Sequence, residues 1–180
     1  MDIDIPAKRF IKKIVVEKIT SLANSEVTDI LEIQQSGNLS SWSKTDYIEE
    51  SQKSDAVFLL ARNEKRKILG FLVARLIGHS TFEGTVKNFE QADLLNFGVL
   101  PNERRKGIGG ELFKKFTDIL QSLEVSEVWL EVRESNREGL AFYQKRGFSK
   151  TQTRKNFYTD PCENAFVLKL EIERLSEIKT

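Results

Sequence analysis

The amino-acid sequence predicts one α+β domain with the element order β-α-α-β-β-β-α-β-α-β-β. Apolar runs with a period of two predict the strands, and apolar residues at helical spacing predict the helices. The 180 residues contain no internal repeat, low-complexity tract or linker. A chain of this length can bury a core without disulfide bonds. We therefore expect a single domain over residues 1–180, with residues 1–10 as an N-terminal extension and residues 173–180 as a C-terminal tail.

The first half of the chain contains three strand patterns and one clear helix pattern. Residues 11–19 predict a strand, and residues 24–35 predict a helix because valine, leucine and isoleucine recur on one side. Ala56–Ala61 and Ile68–Ile77 predict two strands, and the charged turn between them, residues 62–67, predicts a hairpin. The element order includes a second helix in this half, to which no bounds are assigned.

The centre of the chain alternates strand, helix and strand. Residues 92–100 predict a strand, and Pro101 ends it because proline has no N–H to donate to a sheet. Residues 108–122 have apolar side chains at helical spacing and predict an amphipathic helix. Residues 125–134 alternate in polarity and predict a strand with Glu131 on its polar face.

The end of the chain predicts a short helix and two strands. Ser135 and Glu138 have the spacing of a capping box at the start of that helix, and Gly147 is expected to end it. Phe148–Lys155 and Ala165–Ile172 predict the last two strands.

The composition argues against metal, nucleic-acid and membrane functions. Lysine and arginine number 28 against 27 acidic residues, so the chain has no global attraction for nucleic acid or an anionic membrane. Cys162 and His79 are the only cysteine and histidine, and they cannot assemble a zinc site by themselves. Neither a signal peptide nor a membrane-spanning stretch is recognisable. We expect a cytoplasmic protein with no metal; its oligomeric state is not predicted.

The stretch LLNFGVLPNERRKGIGGELFKKF, Leu94–Phe116, has the features of an anion-binding turn. Gly107, Gly109 and Gly110 accompany a helix start that presents unpaired N–H groups, and three cations, Arg104–Lys106, precede them. The pattern lacks the third glycine of a GxGxxG dinucleotide fingerprint and the GK[ST] of a Walker A loop. A plain turn before a solvated helix is the alternative interpretation, and these residues alone do not decide between the two.

Longer motifs resemble a known family. The pattern Arg104-x-x-Gly107-x-Gly109 after the strand end NFGV, followed by LEVRESNREGLAFYQKRGF, resembles the GNAT superfamily of N-acetyltransferases. The stretch TRKNFY, with ENA before the last strand, resembles its RimI-type branch, the ribosomal-protein-alanine N-acetyltransferases. The resemblance is specific over residues 90–170. Over residues 18–80 it rests on the element order and on the dipeptide Trp42-Ser43.

The resemblance implies a GNAT-like fold, in which one mixed, mostly antiparallel sheet is flanked by helices and splayed between its fourth and fifth strands. In this family the strand that matches Asp93–Val99 bulges, and the pantetheine of acetyl-CoA fills the wedge beside it. The resemblance further implies that backbone groups of this strand meet the pantetheine and that the glycine-rich turn holds the pyrophosphate. The implied acetyl-CoA-binding residues are Phe97, Gly98, Val99, Arg104, Arg105, Lys106, Gly107, Ile108, Gly109, Gly110 and Asn136.

Two residues carry the chemistry that the resemblance implies. Acetyl transfer from a thioester to an amine needs a neutral amine and a proton for the leaving thiolate. By resemblance, Glu131 is the general base, directly or through water, and Tyr143 is the general acid. From the residues alone, Glu131 would be interpreted as a solvated carboxylate next to Arg133, and Tyr143 as a core aromatic residue.

The acceptor amine is less well defined than the acetyl donor. Deprotonating an α-amine at pH 7 costs about 3.4 kcal/mol less than deprotonating a lysine, so a single carboxylate suits a protein N-terminus. Several positions nevertheless depart from the RimI-type pattern. Ser41 replaces a proline, Asn164 replaces an aspartate, and Gly139 replaces an alanine. In addition, the loop Thr159–Asn164 is short and the connection Gly78–Gln91 is long.

These features together predict an acetyl-CoA-dependent N-acetyltransferase. We expect it to act on the N-terminal α-amine of a protein, such as a ribosomal protein, by direct attack in a ternary complex. A GNAT enzyme that acts on a small amine or a lysine side chain is the nearest alternative. A non-catalytic acyl-CoA-binding module is a further alternative from a different class.

Overall fold

The computed structural model describes residues 14–37, 39, 42–80 and 86–173. The expected N-terminal extension, Ser41 and residues 174–180 of the expected tail lie outside these described residues, as does the start of the predicted first strand. The described strands are β1 (Val15–Ile19), β2 (Ala56–Arg62), β3 (Ile68–Ser80), β4 (Val86–Val99), β5 (Glu127–Arg133), β6 (Ser149–Thr159) and β7 (Cys162–Glu171). The described α-helices are α1 (Asn24–Gly37), α2 (Lys44–Ser51), α3 (Ile108–Ser122) and α4 (Arg137–Gln144).

The strands form one mixed sheet in the order β1-β2-β3-β4-β5-β7-β6. Neighbouring strands run antiparallel except β4 and β5, which run parallel. Parallel neighbours need a crossover connection, and α3 provides it here. The predicted α+β class and the element order are confirmed, including the second helix, which is α2.

The helices cover the sheet where it is most apolar. All seven residues of β2 are buried, which requires cover on both faces of the sheet. The helix α3 packs against β2 and β3, while α2 packs against β2 and α1 against β3. In α3 the buried residues are Ile108, Leu112, Phe113, Phe116 and Leu120, at the helical spacing that the sequence predicts.

Two connections differ from the prediction. The segment Gly78–Gln91 was expected to be a long loop, but β3 continues to Ser80 and β4 begins at Val86. Paired backbone groups extend this hairpin, so only residues 81–85 separate the two strands, and they lie outside the described part. In the same way, β6 and β7 extend until only Asp160 and Pro161 lie between them.

The start of α4 corrects the predicted capping box. The N-cap is Asn136, whose Oδ1 accepts a hydrogen bond from the N–H of Gly139 at 2.9 Å. The hydroxyl of Ser135 instead donates to Glu163 on β7, and Glu138 pairs with Arg104. Asparagine caps a helix as well as serine does, and Glu163 competes for the serine. A Cβ on Gly139 would lie 2.7 Å from Nδ2 of Asn136, so glycine makes room for this cap.

Candidate active site

A wedge opens in the middle of the sheet between β4 and β5. The two strands pair only where Gln91–Asp93 face Glu127–Trp129. Beyond this point β4 continues to pair with β3, and β5 continues to pair with β7, but not with each other. The register of β4 shifts between Leu94 and Asn96, which leaves Leu95 as a bulge and increases the local bend. The bulge and the splay that the resemblance implied are both present.

The wedge is the floor of a cleft of about 490 Å³, part of which is open to solvent. Both diverging strands, α4, β6 and the connection between α1 and α2 contribute to its walls. The lining residues are Leu39, Leu94, Leu95, Asn96, Phe97, Leu130, Glu131, Val132, Arg133, Asn136, Tyr143 and Tyr158. Of the residues predicted for the site, the cleft therefore brings together Phe97, Glu131, Asn136 and Tyr143.

Glu131 and Tyr143 reach the cleft from different elements. On β5, Leu130 and Val132 are buried in the core, so the alternation of the strand turns Glu131 to the open side. Tyr143 lies on α4, buried against the rings of Phe142 and Phe148. Burial raises the pKa of the Tyr143 hydroxyl well above its usual value, because the phenolate would be poorly solvated there. Tyr143 is thus a core aromatic residue whose hydroxyl stays protonated on the cleft wall.

The carboxylate of Glu131 forms an ion pair that the sequence analysis did not predict. Nη1 of Arg154 on β6 lies 2.5 Å from Oε1 of Glu131, and the Arg154 guanidinium stacks on Phe157. The hydroxyl of Tyr158 is 3.5 Å from the backbone oxygen of Glu131. Arg154 and Tyr158 belong to the quoted stretch TRKNFY, but no local signal pairs β6 with β5 across the intervening β7. Arg133, the expected neighbour of Glu131, pairs elsewhere.

Arg133 fixes the loop between β6 and β7 beside the cleft. Its Nη1 donates to Oε1 of Glu163 at 2.7 Å, and its Nη2 donates to the carbonyl of Asp160 at 2.9 Å. The hydrogen bond from Arg133 is the main reason why the pKa of Glu163 is lowered. The Arg133 guanidinium also lies 4.0 Å above the ring of Tyr158. The side chain of Arg133 therefore holds in position both the loop between β6 and β7 and the Tyr158 ring in the wall of the cleft.

Asn164 stands where the RimI-type pattern has aspartate, and its side-chain amide both donates and accepts a hydrogen bond. Its Nδ2 donates to Glu134 at 2.9 Å, and its Oδ1 accepts from the backbone N–H of Asn156 at 3.1 Å. An aspartate could not donate to Glu134. The departure therefore suits the contacts of this loop.

A hydrogen-bonded chain ties the connection between α1 and α2 to the cleft. Nδ2 of Asn96 on β4 donates to the hydroxyl of Tyr47 at 2.9 Å, and that hydroxyl donates to Oε1 of Gln34 at 2.7 Å. Gln34 then holds both the N–H and the carbonyl of Trp42, at 3.0 and 3.1 Å. Ser43 follows and caps α2. Trp42-Ser43 was recognisable as a dipeptide motif, whereas the roles of Gln34, Tyr47 and Asn96 were not predicted, because these residues are far apart in the sequence.

The glycine-rich turn lies outside the lining of the cleft, at the start of α3. Gly107 is the N-cap residue with φ of 91°, a left-handed conformation that favours glycine, and no side chain caps the helix. The N–H groups of the first turn, Ile108 to Gly110, have no acceptor within the helix. The side chain of Ile108 is buried, so only its backbone is available to a ligand. The arrangement suits an anion at this helix start.

The cations of the turn are not equivalent. Arg104 pairs with Glu138 on α4 at 3.1 Å, and its Nε donates to the carbonyl of Val99 at 3.2 Å. Lys106 pairs with Glu103 at 3.0 Å. Among the described residues, no ion pair involves Arg105, which is exposed. The predicted phosphate-binding roles of these three residues stay predictions.

The remaining strand residues predicted to bind the cofactor serve the packing as well. The ring of Phe97 contacts the ring of Phe142 with centroids 5.2 Å apart. A Cβ on Gly98 would lie 2.6 Å from Cδ1 of Leu39 and 2.9 Å from Cγ2 of Ile33. The absence of a side chain at Gly98 therefore lets α1 and the following connection pack closely on β4.

The described residues also show two negative findings. No group of three or more histidine, cysteine, aspartate or glutamate side chains is placed to hold a metal ion within the described ranges. None of the described helices is both long and apolar enough to span a membrane.

The sequence matches a known protein family over most of its length. The model of the acetyltransferase (GNAT) family matches residues 27–148, which is more than half of the chain. The chain belongs to the GNAT family. The match contains the wedge, the glycine-rich turn, Glu131 and Tyr143.

Individual GNAT relatives agree with the fold. The [ribosomal protein bS18]-alanine N-acetyltransferase of Escherichia coli is 28% identical over 156 residues, covering 86% of this chain and 97% of its own length. The crystal structure of the ribosomal-protein-S18-alanine N-acetyltransferase from E. coli superposes with a TM-score of 0.71 at 25% identity, over 89% of this chain and 95% of that one. Ard1 from Thermoplasma volcanium has the same fold, with a TM-score of 0.75 at 21% identity and coverage of 89% and 99%. The predicted GNAT-like fold is confirmed.

Proposed function

We propose that this GNAT chain is an acetyl-CoA-dependent N-acetyltransferase that acts on the α-amine of a protein N-terminus, in the cytoplasm. The carrying observation is that Glu131 and Tyr143, from β5 and α4, line one cleft at the point where β4 and β5 diverge. A carboxylate and a protonated phenol in one cleft are the two groups that acyl transfer to an amine requires.

The two side chains have separate tasks in this proposal. Glu131, directly or through water, removes the proton from the acceptor ammonium, so that the amine nitrogen can bond to the acetyl carbon. Tyr143 donates its phenolic proton to the sulfur as the carbon–sulfur bond breaks. Its raised pKa keeps that proton in place at physiological pH. The nitrogen loses its second proton as the amide forms, and this proton restores the Tyr143 phenol through solvent, while Glu131 releases the first proton to water. The exchange then balances with one proton released and no covalent enzyme intermediate, and exposed Cys162 lies outside the cleft lining.

The wedge and the start of α3 support the proposal for the acetyl donor. Backbone groups of β4 beyond Asp93 are not paired with β5, so an extended pantetheine could bond to them in the manner of an added strand. Gly107 and the uncapped first turn of α3 suit the pyrophosphate. Phe97, Gly98 and Val99, together with residues 104–110 and Asn136, would form this binding surface.

The acceptor assignment rests on the relatives and on the charge of the cleft. The E. coli relative is named for the N-terminal alanine of a ribosomal protein. Among the described lining residues Glu131 is the one carboxylate, and an α-amine is the acceptor that one carboxylate deprotonates most easily. We propose a peptide N-terminus at this site. Its walls would be the loop between β6 and β7 and the part of the connection between α1 and α2 around Trp42, which we call the Trp42 connection.

A direct assay tests the proposal. The purified chain is incubated with acetyl-CoA and a panel of N-terminal peptides, each in a free and an N-blocked form, together with lysine peptides and polyamines. We expect mass spectrometry to find one added acetyl group on free α-amines and none on the N-blocked peptides. Turnover confined to lysine side chains or polyamines would overturn the acceptor assignment. Binding of acetyl-CoA with no turnover of any amine would indicate the non-catalytic alternative.

A further inference from the structure

A cation outside the glycine-rich turn, Arg146, follows α4 and lies near the start of α3. Its guanidinium carbon lies 3.4 Å above the centroid of Phe142 and 5.5 Å from that of Phe113. Its Nη1 donates to the carbonyl of Phe142 at 3.0 Å. These contacts hold a half-buried guanidinium in one position.

The guanidinium faces the first turn of α3. A Cβ placed on Gly110 would lie 3.5 Å from Nη2 of Arg146, so this nitrogen abuts the third residue of the helix. The neighbouring Gly109 packs against the same Phe142 ring, with its Cβ position 3.2 Å from Cε2. The two helices thus place a cation against the flank of the glycine-rich turn.

The charge of Arg146 is not balanced by a carboxylate. Within the described residues no ion pair involves Arg146, whereas Arg104 and Lys106 pair with Glu138 and Glu103. Burial lowers the pKa of the Arg146 guanidinium, as expected for a cation partly removed from water. A partly desolvated cation gains most from a nearby anion.

We propose that Arg146 binds a phosphate group at the nucleotide end of acetyl-CoA, from the flank of the first turn of α3. This inference rests on the proposed function. Its planar fork offers donors beyond the one that Phe142 uses, and the adjacent N–H groups of α3 point to the same anion. Arg146 is then a cofactor-binding residue that stands 36 positions beyond the glycine-rich turn in sequence.

Truncated ligands test this role. Binding of CoA, 3′-dephospho-CoA and pantetheine is measured by calorimetry for the unchanged chain and for Arg146→Met, which keeps a long apolar stem over Phe142. We expect Arg146→Met to weaken CoA binding by about tenfold and to leave pantetheine binding unchanged. Arg146→Lys should recover part of the loss. If the tenfold effect disappears with 3′-dephospho-CoA, the contact is to the 3′-phosphate; if it persists, the contact is to the diphosphate.

Lys145→Met is the matched control, because Lys145 is an exposed cation on the same turn. We expect it to leave CoA binding nearly unchanged. Equal weakening by both substitutions would mean a general charge effect and would overturn the inference. Equal loss of CoA and pantetheine binding in Arg146→Met would mean a structural role and would also overturn it. No CoA binding by the unchanged chain would overturn the proposed function and this inference together.

Discussion

Two sides of the cleft are built in different ways. The wedge side is one continuous segment, Leu94–Gly110, that runs from the bulge in β4 to the first turn of α3. The entrance side combines Gln34, Trp42 and Tyr47 with Arg154–Asn164, and more than a hundred residues separate the two groups in the sequence. Under the proposed function the wedge side holds the donor, which is common to the family, and the entrance side selects the acceptor. A binding surface made of local backbone leaves a motif in the sequence, whereas one made of distant side chains does not.

The largest expected effect concerns the residues between the two sides. Glu131→Gln and Tyr143→Phe should each lower kcat by about a hundredfold to ten-thousandfold, because each removes one proton-transfer group. Steady-state kinetics with a peptide acceptor measure the change, and calorimetry should find acetyl-CoA binding retained. Glu171→Gln, at an exposed carboxylate at the end of β7, is the control and should retain full activity. Unchanged turnover in both cleft variants would remove the two assignments.

A smaller effect is expected at the helix start of the wedge side. Gly107 has φ of 91°, and nothing lies within 4 Å of a Cβ placed there, so Gly107→Ala acts through backbone strain alone. That strain, about 1–2 kcal/mol, should shift the turn and weaken acetyl-CoA binding by roughly tenfold. Gly107→Asn should bind more tightly than the alanine variant, since asparagine tolerates left-handed backbone. An unchanged affinity for acetyl-CoA in the alanine variant would argue against pyrophosphate binding at this turn.

The entrance side should respond to loss of one hydroxyl. Tyr47→Phe removes the hydroxyl that links Asn96 to Gln34, so each of the two amides loses one hydrogen bond. We expect the free energy of unfolding to fall by about 1–2 kcal/mol. We also expect KM for the peptide to rise while KM for acetyl-CoA stays constant, because the Trp42 connection loses its anchor. Equal changes in both KM values would mean that the hydrogen bonds of Tyr47 do not affect the acceptor site more than the acetyl-CoA site.

The last expected effect is an alkaline dependence of stability, which is absent at neutral pH. Burial raises the pKa of Tyr47 and of Tyr143, so the unfolded chain loses these protons first as the pH rises. Their contribution to stability is therefore complete below about pH 10 and declines above it, by up to about 1.4 kcal/mol per pH unit for each group. Urea unfolding at pH 9 and pH 11 measures the decline. Tyr143→Phe should show a shallower decline than the unchanged chain, and an equal one would contradict this account.

The sequence predicted the fold more completely than the site. Apolar periodicity located the strands and the helices α1 and α3, since burial imposes it directly, but it assigned no bounds to α2. The splayed wedge was implied by the family resemblance of the motif around Arg104 and Gly107. The capping box failed because Glu163, on a distant strand, takes the Ser135 hydroxyl. Similarly, the ion pair between Arg154 and Glu131 depends on how β6 reaches across the sheet, which local spacing does not encode.

The short pairing of β4 with β5 also links the cofactor to the lifetime of the chain. A ligand that bonds to these strands binds only the folded chain, so at a hundred times its Kd it would add about 2.7 kcal/mol to the free energy of unfolding. Proteases act mainly on unfolded molecules, and about 2.7 kcal/mol of added stability would lower the unfolded fraction of the protein about a hundredfold. Under the proposed function, a higher acetyl-CoA concentration in the cell would slow the degradation of this protein as well as raise its rate of catalysis.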